Sequence, residues 1–185
     1  MGVALADGAA EYGAEVTLVL GPSEILPHNS AVNVLHVTTA ASMAKECISR
    51  FPECDIAILS AAVADFTPVT VKKTKISKST GGLILELKPA TDIAVTLGKI
   101  KKKNQILAGF ALETDNGIEN AVKKLNSKNL DLIVLNSLKE KGAGFGYDTN
   151  RITIIDKYNN IDKFELKTKR EAAFDILDKI GTMIR

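Results

Sequence analysis

The stretch "CDIAILSAAVADFTP", residues 54–68, carries the clearest indication of the fold. Its first half is apolar at nearly every position, which is typical of a strand covered on both faces in the parallel sheet of an α/β protein. The apolar run then ends at a carboxylate, Asp65, and at a proline, Pro68. Ligands of open α/β sheets bind just beyond the carboxyl ends of strands, so this junction predicts a functional site.

Four other apolar runs resemble this one and are predicted strands: 15–20, 32–37, 105–112 and 130–136. Helices are predicted between them, over 1–12, 40–50, 91–103 and 116–128. This alternation predicts the α/β class, with a Rossmann-like, mostly parallel sheet and helices on both faces. The chain opens on a helix, whereas a doubly wound sheet usually opens on a strand, so a first strand is expected to be missing.

The C-terminal third has a different pattern. Segments 150–156 and 161–167, joined by the turn "KYNN", predict an antiparallel hairpin. The alternating segment 83–88, "LILELK", predicts a further strand. No linker or repeat divides the chain, which predicts a single domain over residues 1–185.

Polar residues mark where several helices begin. Thr168 with Glu171, and Asn116 with Glu119, have the spacing of a capping box. Thr91-Asp92 is predicted to start the helix 91–103.

The composition excludes several functional classes. The net charge is only +2 and aromatic residues make up 5% of the chain, which argues against binding to nucleic acid. No apolar run reaches membrane length. The two cysteines lack a C-x-x-C spacing and are typical of reduced thiols, so a cytoplasmic location is expected. The two histidines are isolated, and no zinc-ligand cluster is present.

Three groups of residues have the chemistry of an anion site. Asp65 either contacts a ligand or is a turn residue before Pro68. The segment "KKTKISK", 72–78, either neutralises a polyphosphate or is a solvated charged run. Lys124 and Lys128 share one helix face, where two cations repel unless an anion lies between them, although such pairs usually serve solubility.

Two glycine-containing segments complete the set of candidates. In "AGFALET", Gly109 indicates close approach to a backbone or a ligand, and Phe110 packs either on a nucleotide or in the core. The segment "GAGFGYDTN", 142–150, matches neither the P-loop nor the dinucleotide-binding fingerprint.

In order along the chain, six motifs resemble the phosphopantothenoylcysteine synthetase domain of coenzyme A biosynthesis. This domain is the C-terminal half of the bifunctional bacterial decarboxylase/synthetase, also called the DNA/pantothenate metabolism flavoprotein. The motifs are "MGVALADGAAEYGAEVTLVLGP", "AAVADFTP", "KISK", "GFALET", "KKLNSKNLDLIVLN" and "FGYDTN".

The resemblance implies a ligase that joins 4′-phosphopantothenate to L-cysteine through an acyl-cytidylate, with CTP as co-substrate and Mg²⁺ as cofactor. It implies a homodimer whose C-terminal strands lie near the interface, and whose active site lies close to the partner chain. The residues alone leave the choice between CTP and ATP open.

The same resemblance gives roles to the candidate residues. Lys75 would be the catalytic lysine that stabilises charge developing on the phosphates, and Lys124 and Lys128 would hold the phosphates. The nucleotide would be bound by Leu59, Ser60, Ala61, Asp65, Lys75, Thr91, Asp92, Ile93, Ala94, Phe110, Lys124 and Lys128.

The chain departs from the family pattern at two places. The T-P-D-I motif appears as "ATDI", 90–93, with the proline displaced to Pro89. The family's first strand, glycine turn and N-H-S-[ST]-G-K segment would precede Met1, so the chain is expected to be N-terminally truncated and its synthetase activity impaired. A non-catalytic nucleotide-binding module is therefore an alternative. An NAD(P)-dependent oxidoreductase is a third, disfavoured because G-x-G-x-x-G is absent.

Overall fold

Helices and strands alternate in the order that the sequence predicts. The computed structural model describes residues 1–71, 74, 83–113, 116–137 and 147–184. The helices are α1 (Gly2–Glu11), α2 (Ala40–Arg50), α3 (Ile93–Ile100), α4 (Gly117–Ser127) and α5 (Lys169–Gly181), with a short 3-10 helix at Phe51–Glu53. The strands are β1 (Thr17–Leu20), β2 (Asn33–His36), β3 (Ile56–Leu59), β4 (Phe66–Pro68), β5 (Leu87–Pro89), β6 (Ile106–Glu113), β7 (Leu132–Ser137), β8 (Thr149–Asn150), β9 (Ile152–Asp156), β10 (Ile161–Lys163) and β11 (Lys167–Thr168).

Parallel strands form the centre of the largest sheet, whose order is β10-β9-β7-β6-β3. Strand β6 pairs in parallel with β3 on one side and with β7 on the other. Strand β9 joins β7 antiparallel and forms the C-terminal hairpin with β10. Strands β1 and β2 form a separate parallel pair. These pairings confirm the predicted mostly parallel α/β fold with its C-terminal hairpin.

The central sheet has an apolar cluster on each face, because successive strand residues point to opposite sides. In β6, Ile106 and Ala108 join a cluster with residues of α1 and α5. Leu107 and Ala111 join a second cluster with residues of α2, α3 and α4. The predicted covering of the sheet on both faces is therefore confirmed. None of the helices in the described part of the chain is long and apolar enough to cross a membrane.

The predicted strand over 83–88 is wrong in its extent. Only residues from Leu87 onward form a strand, β5, which pairs antiparallel with β4 from Phe66↔Pro89 to Pro68↔Leu87. Beyond these pairs, one further backbone hydrogen bond joins the two segments, from the Val69 N–H to the Glu86 carbonyl at 2.9 Å, and the pairing ends there. Apolar alternation continues through Ile84, but that side chain is 94% exposed and not part of a sheet face.

One of the two predicted capping boxes is also wrong. Asn116 precedes α4 in the left-handed conformation, with φ 50°, and its side chain makes no cap hydrogen bond. A capping side chain needs the extended backbone of a usual N-cap to reach the first amides. Glu119 instead pairs with Lys123. The box of Thr168 and Glu171 at α5 is confirmed.

Helix α3 lies in close contact with the turn that follows α4. A methyl group added at Gly98 would collide with the carbonyl oxygen of Lys128. Asn129 adopts the left-handed conformation, with φ 52°, and its side-chain amide donates to the Gly98 carbonyl at 2.7 Å. The Lys101 ammonium donates to the Asn129 carbonyl at 2.7 Å. These bonds hold the turn against α3.

We expect Gly98→Ala to lower the free energy of unfolding. Alanine is the better helix former by about 1 kcal/mol, but the collision with a tethered carbonyl costs about 1–3 kcal/mol as overpacking. The net effect is therefore destabilising, measurable by urea denaturation. Gly181→Ala is the matched control, because an added methyl group at Gly181 meets no atom within 4 Å. An equal or higher stability of Gly98→Ala than of Gly181→Ala would contradict this account of the contact.

A buried carboxylate, Asp131, binds groups at the amino-terminal ends of β6 and β7. Asp131 is 3% exposed and binds Lys101 at 2.7 Å and Lys157 at 2.9 Å. It also accepts a hydrogen bond from the backbone N–H of Leu107 at 2.9 Å. Burial raises the pKa of Asp131, but the hydrogen bonds from Lys101, Lys157 and Leu107 outweigh burial and hold this pKa below its usual value.

Because the folded-state pKa of Asp131 is lowered, its carboxylate stabilises the fold above the unfolded pKa of about 3.9. This contribution is lost as the pH falls through the folded-state pKa. Asp131→Asn leaves Lys101 buried without its charge partner, so we expect the free energy of unfolding at pH 7 to fall by about 3 kcal/mol. We also expect the free energy of unfolding of this variant to depend less on pH below pH 7. Denaturant unfolding between pH 2 and pH 7 measures both effects. Glu119→Gln, which breaks an exposed pair, is the control, and equal effects of the two substitutions would refute the role of Asp131.

Candidate functional site

A cavity of about 180 Å³ lies between the carboxyl end of β3, the middle of β6, the N-terminus of α3 and the C-terminal half of α4. It lies on the sheet face covered by α2, α3 and α4. Its lining combines apolar side chains with two carboxylates and two lysines, and consists of Met43, Cys47, Leu59, Ala61, Val63, Ala64, Asp65, Ala90, Thr91, Asp92, Ile93, Ala94, Gly109, Phe110, Lys124, Lys128, Leu130 and Ile133.

The structure brings together sequence segments that lie far apart in the chain. All of the predicted nucleotide-binding residues line this one cavity, except Ser60 and Lys75. Lys75, the predicted catalytic lysine, lies outside the described residues, as do Lys72, Lys73 and Lys78. The segment that leaves β3 contributes Ala61 and Asp65, and helices α3 and α4, which cover the same face of the sheet, contribute Asp92 and the two lysines.

Ser60 does not line the cavity. A methyl group added at Gly2 would lie 2.7 Å from the Ser60 hydroxyl oxygen, which places Ser60 beside the N-terminus of α1. Its neighbour Leu59 packs on the opposite face, against the apolar cluster beneath α2, α3 and α4. The alternation of side chains along an extended strand separates the two, and the predicted contact of Ser60 is not supported by its position.

Asp92 and Lys128 form the polar centre of the cavity wall. The Lys128 ammonium lies 2.8 Å from Oδ2 of Asp92. The other oxygen, Oδ1, accepts a hydrogen bond from the Val95 N–H at 3.0 Å, so Asp92 also caps α3, as predicted. Burial raises the pKa of Asp92, but the hydrogen bonds from Lys128 and Val95 outweigh burial and hold it below its usual value. The carboxylate is therefore ionised at neutral pH.

The sequence posed the question of what keeps two neighbouring lysines together. Lys124 and Lys128 lie one helical turn apart, and both border the cavity. Part of the answer is Asp92, which supplies an anion to Lys128. The neighbouring Lys123 pairs with Glu119, and both of these side chains are about two-thirds exposed, at 68% and 66%. Helix α4 and its C-terminal cap thus carry two cavity-lining lysines, and the exposed side of the helix carries a lysine paired with a glutamate.

Phe110 borders the cavity and also packs against the apolar cluster beneath α1 and α5. Its neighbour Gly109 belongs to the opposite face, where an added methyl group would lie 2.8 Å from a Leu130 side-chain carbon. The absence of a side chain at Gly109 therefore leaves room for Leu130 under the cavity. The predicted close approach at Gly109 is to this leucine.

Met43 and Cys47 of α2 line the cavity and were not predicted as site residues. Both occupy the apolar stripe of an amphipathic helix, which in a sequence cannot be distinguished from ordinary core. Cys47 and Cys54 are free thiols. Burial, followed by the charge of Glu46, raises the pKa of Cys47, which keeps this thiol protonated and weakly reactive.

Residues of the cavity fit a magnesium ion only in combination with phosphates. Across the described ranges, no group of three or more His, Cys, Asp and Glu residues is placed to hold a metal. The cavity does present Asp65 and Asp92. Mg²⁺ is usually held by one or two carboxylates together with substrate phosphates and water, and this donor set suits that arrangement.

A larger cavity, of about 450 Å³, lies at the amino-terminal end of β6 and β7. Lysines line it, but Lys101 and Lys157 bind Asp131, and Lys102 donates to the Pro52 carbonyl at 2.7 Å. These cations compensate a buried carboxylate and backbone carbonyls. The contacts of these three lysines are therefore explained by the fold, and we take the smaller cavity as the candidate site although the other has the larger volume.

The chain matches a family model described as "DNA/pantothenate metabolism flavoprotein C-terminal domain" over residues 1–183. It is 62% identical over its full length to a protein named cysteine/cysteine sulfinic acid decarboxylase, from an unknown prokaryotic organism, of which it covers 51%. It is 45% identical to the coenzyme A biosynthesis bifunctional protein CoaBC of Bacillus subtilis strain 168, with 99% of the chain and 45% of that protein covered.

A solved structure has the same fold. The crystal structure of the C-terminal domain of a coenzyme A biosynthesis bifunctional protein CoaBC superimposes with a TM-score of 0.81 at 39% identity, covering 98% of this chain and 82% of that one. The chain spans about half the length of the curated relatives it matches.

Proposed function

The chain belongs to the family of DNA/pantothenate metabolism flavoprotein C-terminal domains, and on that basis we propose that it is a phosphopantothenate–cysteine ligase of coenzyme A biosynthesis. The substrates are 4′-phosphopantothenate and L-cysteine, and the co-substrate is CTP. The observation that carries the proposal is the convergence of Asp65, Asp92, Lys124 and Lys128 in one cavity. The similarity to CoaBC supports the assignment to coenzyme A biosynthesis.

The proposed reaction has two steps. The carboxylate of 4′-phosphopantothenate attacks the α-phosphorus of CTP, which forms an acyl-cytidylate and releases pyrophosphate. The amine of cysteine then attacks the acyl carbon, the amide bond forms, and CMP leaves with the bonding electron pair. The amine loses a proton in this step, and no bond to the protein is made.

The cavity residues contribute binding and electrostatic stabilisation. A carboxylate and a triphosphate repel each other, so cations held in place before binding lower the barrier to their approach. Lys124 and Lys128 hold the phosphates, and Asp65 with Leu59, Ala61 and the segment 91–94 binds the nucleoside, with Phe110 beside it. Lys75 stabilises the charge that develops at the phosphates. Mg²⁺ held by Asp65 and the phosphates would supply further charge neutralisation.

The name of the 62% identical relative points to a different chemistry, decarboxylation of cysteine or cysteine sulfinic acid. That name is given to a protein about twice as long, of which the chain matches 51%. The name applies to the whole of that protein, including the part that this chain does not match. The second candidate function is instead a nucleotide-binding module without turnover, which the same cavity would also support.

A single assay series separates these functions. We expect CTP to bind the chain in isothermal titration, and pyrophosphate to be released when CTP, 4′-phosphopantothenate and cysteine are all present. Lys124→Met weakens CTP binding, because a charged hydrogen bond to phosphate contributes about 1.5–3 kcal/mol. Lys123→Met, one residue away on the exposed side of α4, leaves binding unchanged.

The remaining outcomes distinguish the alternatives. Binding heat without pyrophosphate identifies a nucleotide-binding module. Release of CO₂ from cysteine in place of pyrophosphate supports the decarboxylase. If CTP produces no binding heat and no pyrophosphate is released, the ligase assignment is refuted.

The proposal includes a homodimer, formed not by the C-terminal strands as the resemblance implies but by the β4–β5 ribbon, here taken with its flanking residues 69–71 and 83–86. Large apolar side chains of this ribbon are exposed, among them Val71 at 78%, Leu83 at 63% and Ile84 at 94%. Exposed large apolar side chains that are concentrated in one part of a chain are typical of a protein interface. The ribbon starts where the Ala90 N–H donates to the Asp65 carbonyl at 2.8 Å, so a partner subunit bound there lies next to the cavity.

We expect Ile84→Asp to convert the dimer to a monomer, because burying an unpaired carboxylate in an apolar interface is unfavourable. Sedimentation equilibrium measures the change. Ile25→Asp is the control, since Ile25 is 64% exposed in the loop between β1 and β2 and is not part of the ribbon. A wild-type chain that is monomeric, or a dimer that survives Ile84→Asp, rules out this interface.

A further inference from the structure

The carboxylate of Asp92 uses its two oxygens for two different purposes. Oδ1 accepts from the Val95 N–H at 3.0 Å and caps α3. Oδ2 accepts from the Lys128 ammonium at 2.8 Å. A helix cap alone needs one oxygen, and Ser, Thr or Asn would supply it equally well. The charge and the second oxygen of Asp92 are therefore available for a role directed at Lys128.

Lys128 is held at both ends. Its backbone carbonyl lies against Gly98, at a distance that excludes even a methyl group. The next residue, Asn129, donates to the Gly98 carbonyl at 2.7 Å and is held in turn by Lys101. The side chain of Lys128 then runs along α3 to Asp92 at the N-terminus of the helix. A four-carbon stem with several rotatable bonds is thus confined to one direction.

The confined ammonium still faces the cavity. Lys128 and Asp92 both line it, and their side chains remain 30% and 44% exposed. The ammonium has three N–H donors, and the hydrogen bond to Asp92 uses one of them. Lysines that bind nucleotide phosphates in protein kinases are held in the same manner, by an ion pair with a carboxylate of a neighbouring helix.

We propose that Asp92 is a positioning residue for the nucleotide: its Oδ2 directs the Lys128 ammonium toward the nucleotide phosphates, while its Oδ1 caps α3. This inference rests on the proposed function, since it assumes that a nucleoside triphosphate enters the cavity. In this arrangement α3 positions Lys128 at two places. Gly98 contacts the backbone of Lys128, and Asp92 at the start of the helix binds its ammonium. The pKa of Asp92, lowered by its hydrogen bonds, keeps the carboxylate charged for this purpose.

Two physical effects predict opposite results when the charge of Asp92 is removed. Coulomb attraction alone predicts tighter binding of CTP to Asp92→Asn, because the cavity loses a negative charge that repels the phosphates. Positioning predicts weaker binding, because an amide N–H₂ or a neutral oxygen no longer holds the ammonium. Asparagine caps helices as well as aspartate does, so the helix start is kept.

The experiment measures the Kd of CTP by isothermal titration for the wild type, Asp92→Asn, Asp92→Glu, Lys128→Met and the double variant Asp92→Asn/Lys128→Met. We expect about a tenfold weaker Kd for Asp92→Asn and for Lys128→Met, as for loss of one charge-assisted contact. The double variant binds no more weakly than Lys128→Met alone, since the two residues act as a unit. Asp92→Glu recovers most of the affinity, and Lys123→Met, at the surface pair, leaves it unchanged.

Each result decides the inference. Unchanged or tighter binding by Asp92→Asn overturns the positioning role and leaves the proposed function intact, whereas a wild type that binds no CTP overturns both. A double variant with additive losses also overturns the positioning role.

Where Asp92→Asn does not fold, Lys128→Met answers the question through the pKa of the Asp92 carboxyl, followed by carbon NMR. This pKa rises in Lys128→Met if the ion pair exists in solution, and an unchanged pKa overturns the inference.

Discussion

The parallel pairing of β6 with β3 and β7 is the constraint on which the rest of the molecule depends. Parallel strands require crossover connections, and these place helices on both faces of the sheet. One of these faces carries the cavity, which is bordered by the segment after β3 and by helices α3 and α4. Residues as distant in sequence as Asp65, Asp92 and Lys128 meet there because of this packing and not because of any local preference.

Lysines serve two different purposes at the two ends of the sheet. At the amino-terminal end, Lys101 is 10% exposed and neutralises Asp131, which stabilises the start of β6 and β7. On the cavity side, Lys128 is 30% exposed and its partner Asp92 is 44% exposed, so the pair remains accessible to a ligand. The same residue type contributes to stability in one environment and to a candidate binding site in the other. Burial and the location of the counter-charge decide between these roles.

The contact between Gly98 and the turn after α4 connects these two ends. Lys101 holds Asn129 at the buried network, and the neighbouring Lys128 extends along α3 to the cavity. Glycine is required at position 98 because no side chain fits between the helix and the turn. These contacts therefore tie the cavity wall to the core network behind it, which suits a site that binds a highly charged ligand without reorganisation.

Much of this protein was predictable from local sequence patterns. Apolar runs on both faces, helical periodicity and the Thr168–Glu171 box identified the strands of the central sheet, the helices α1 to α5 and the order in which they follow one another. The segments "AAVADFTP", "ATDI", "GFALET" and "KKLNSK" contain most of the residues that line the cavity. These features are encoded in short segments, where the period of side chains and the chemistry of a few neighbours are sufficient.

Other features were decided only by the tertiary structure. Ser60 and Leu59 are adjacent in sequence, but strand alternation sends one toward α1 and the other toward the cavity. Met43 and Cys47 belong to the cavity only because α2 packs next to α3, and the partner of Lys128 was not evident until the fold brought Asp92 to it. Ile84 lies in an apolar segment without entering a sheet, because the pairing with β4 and the residue after it ends at Glu86. In each case the outcome depends on which distant segment packs alongside, and a linear pattern contains no information about that neighbour.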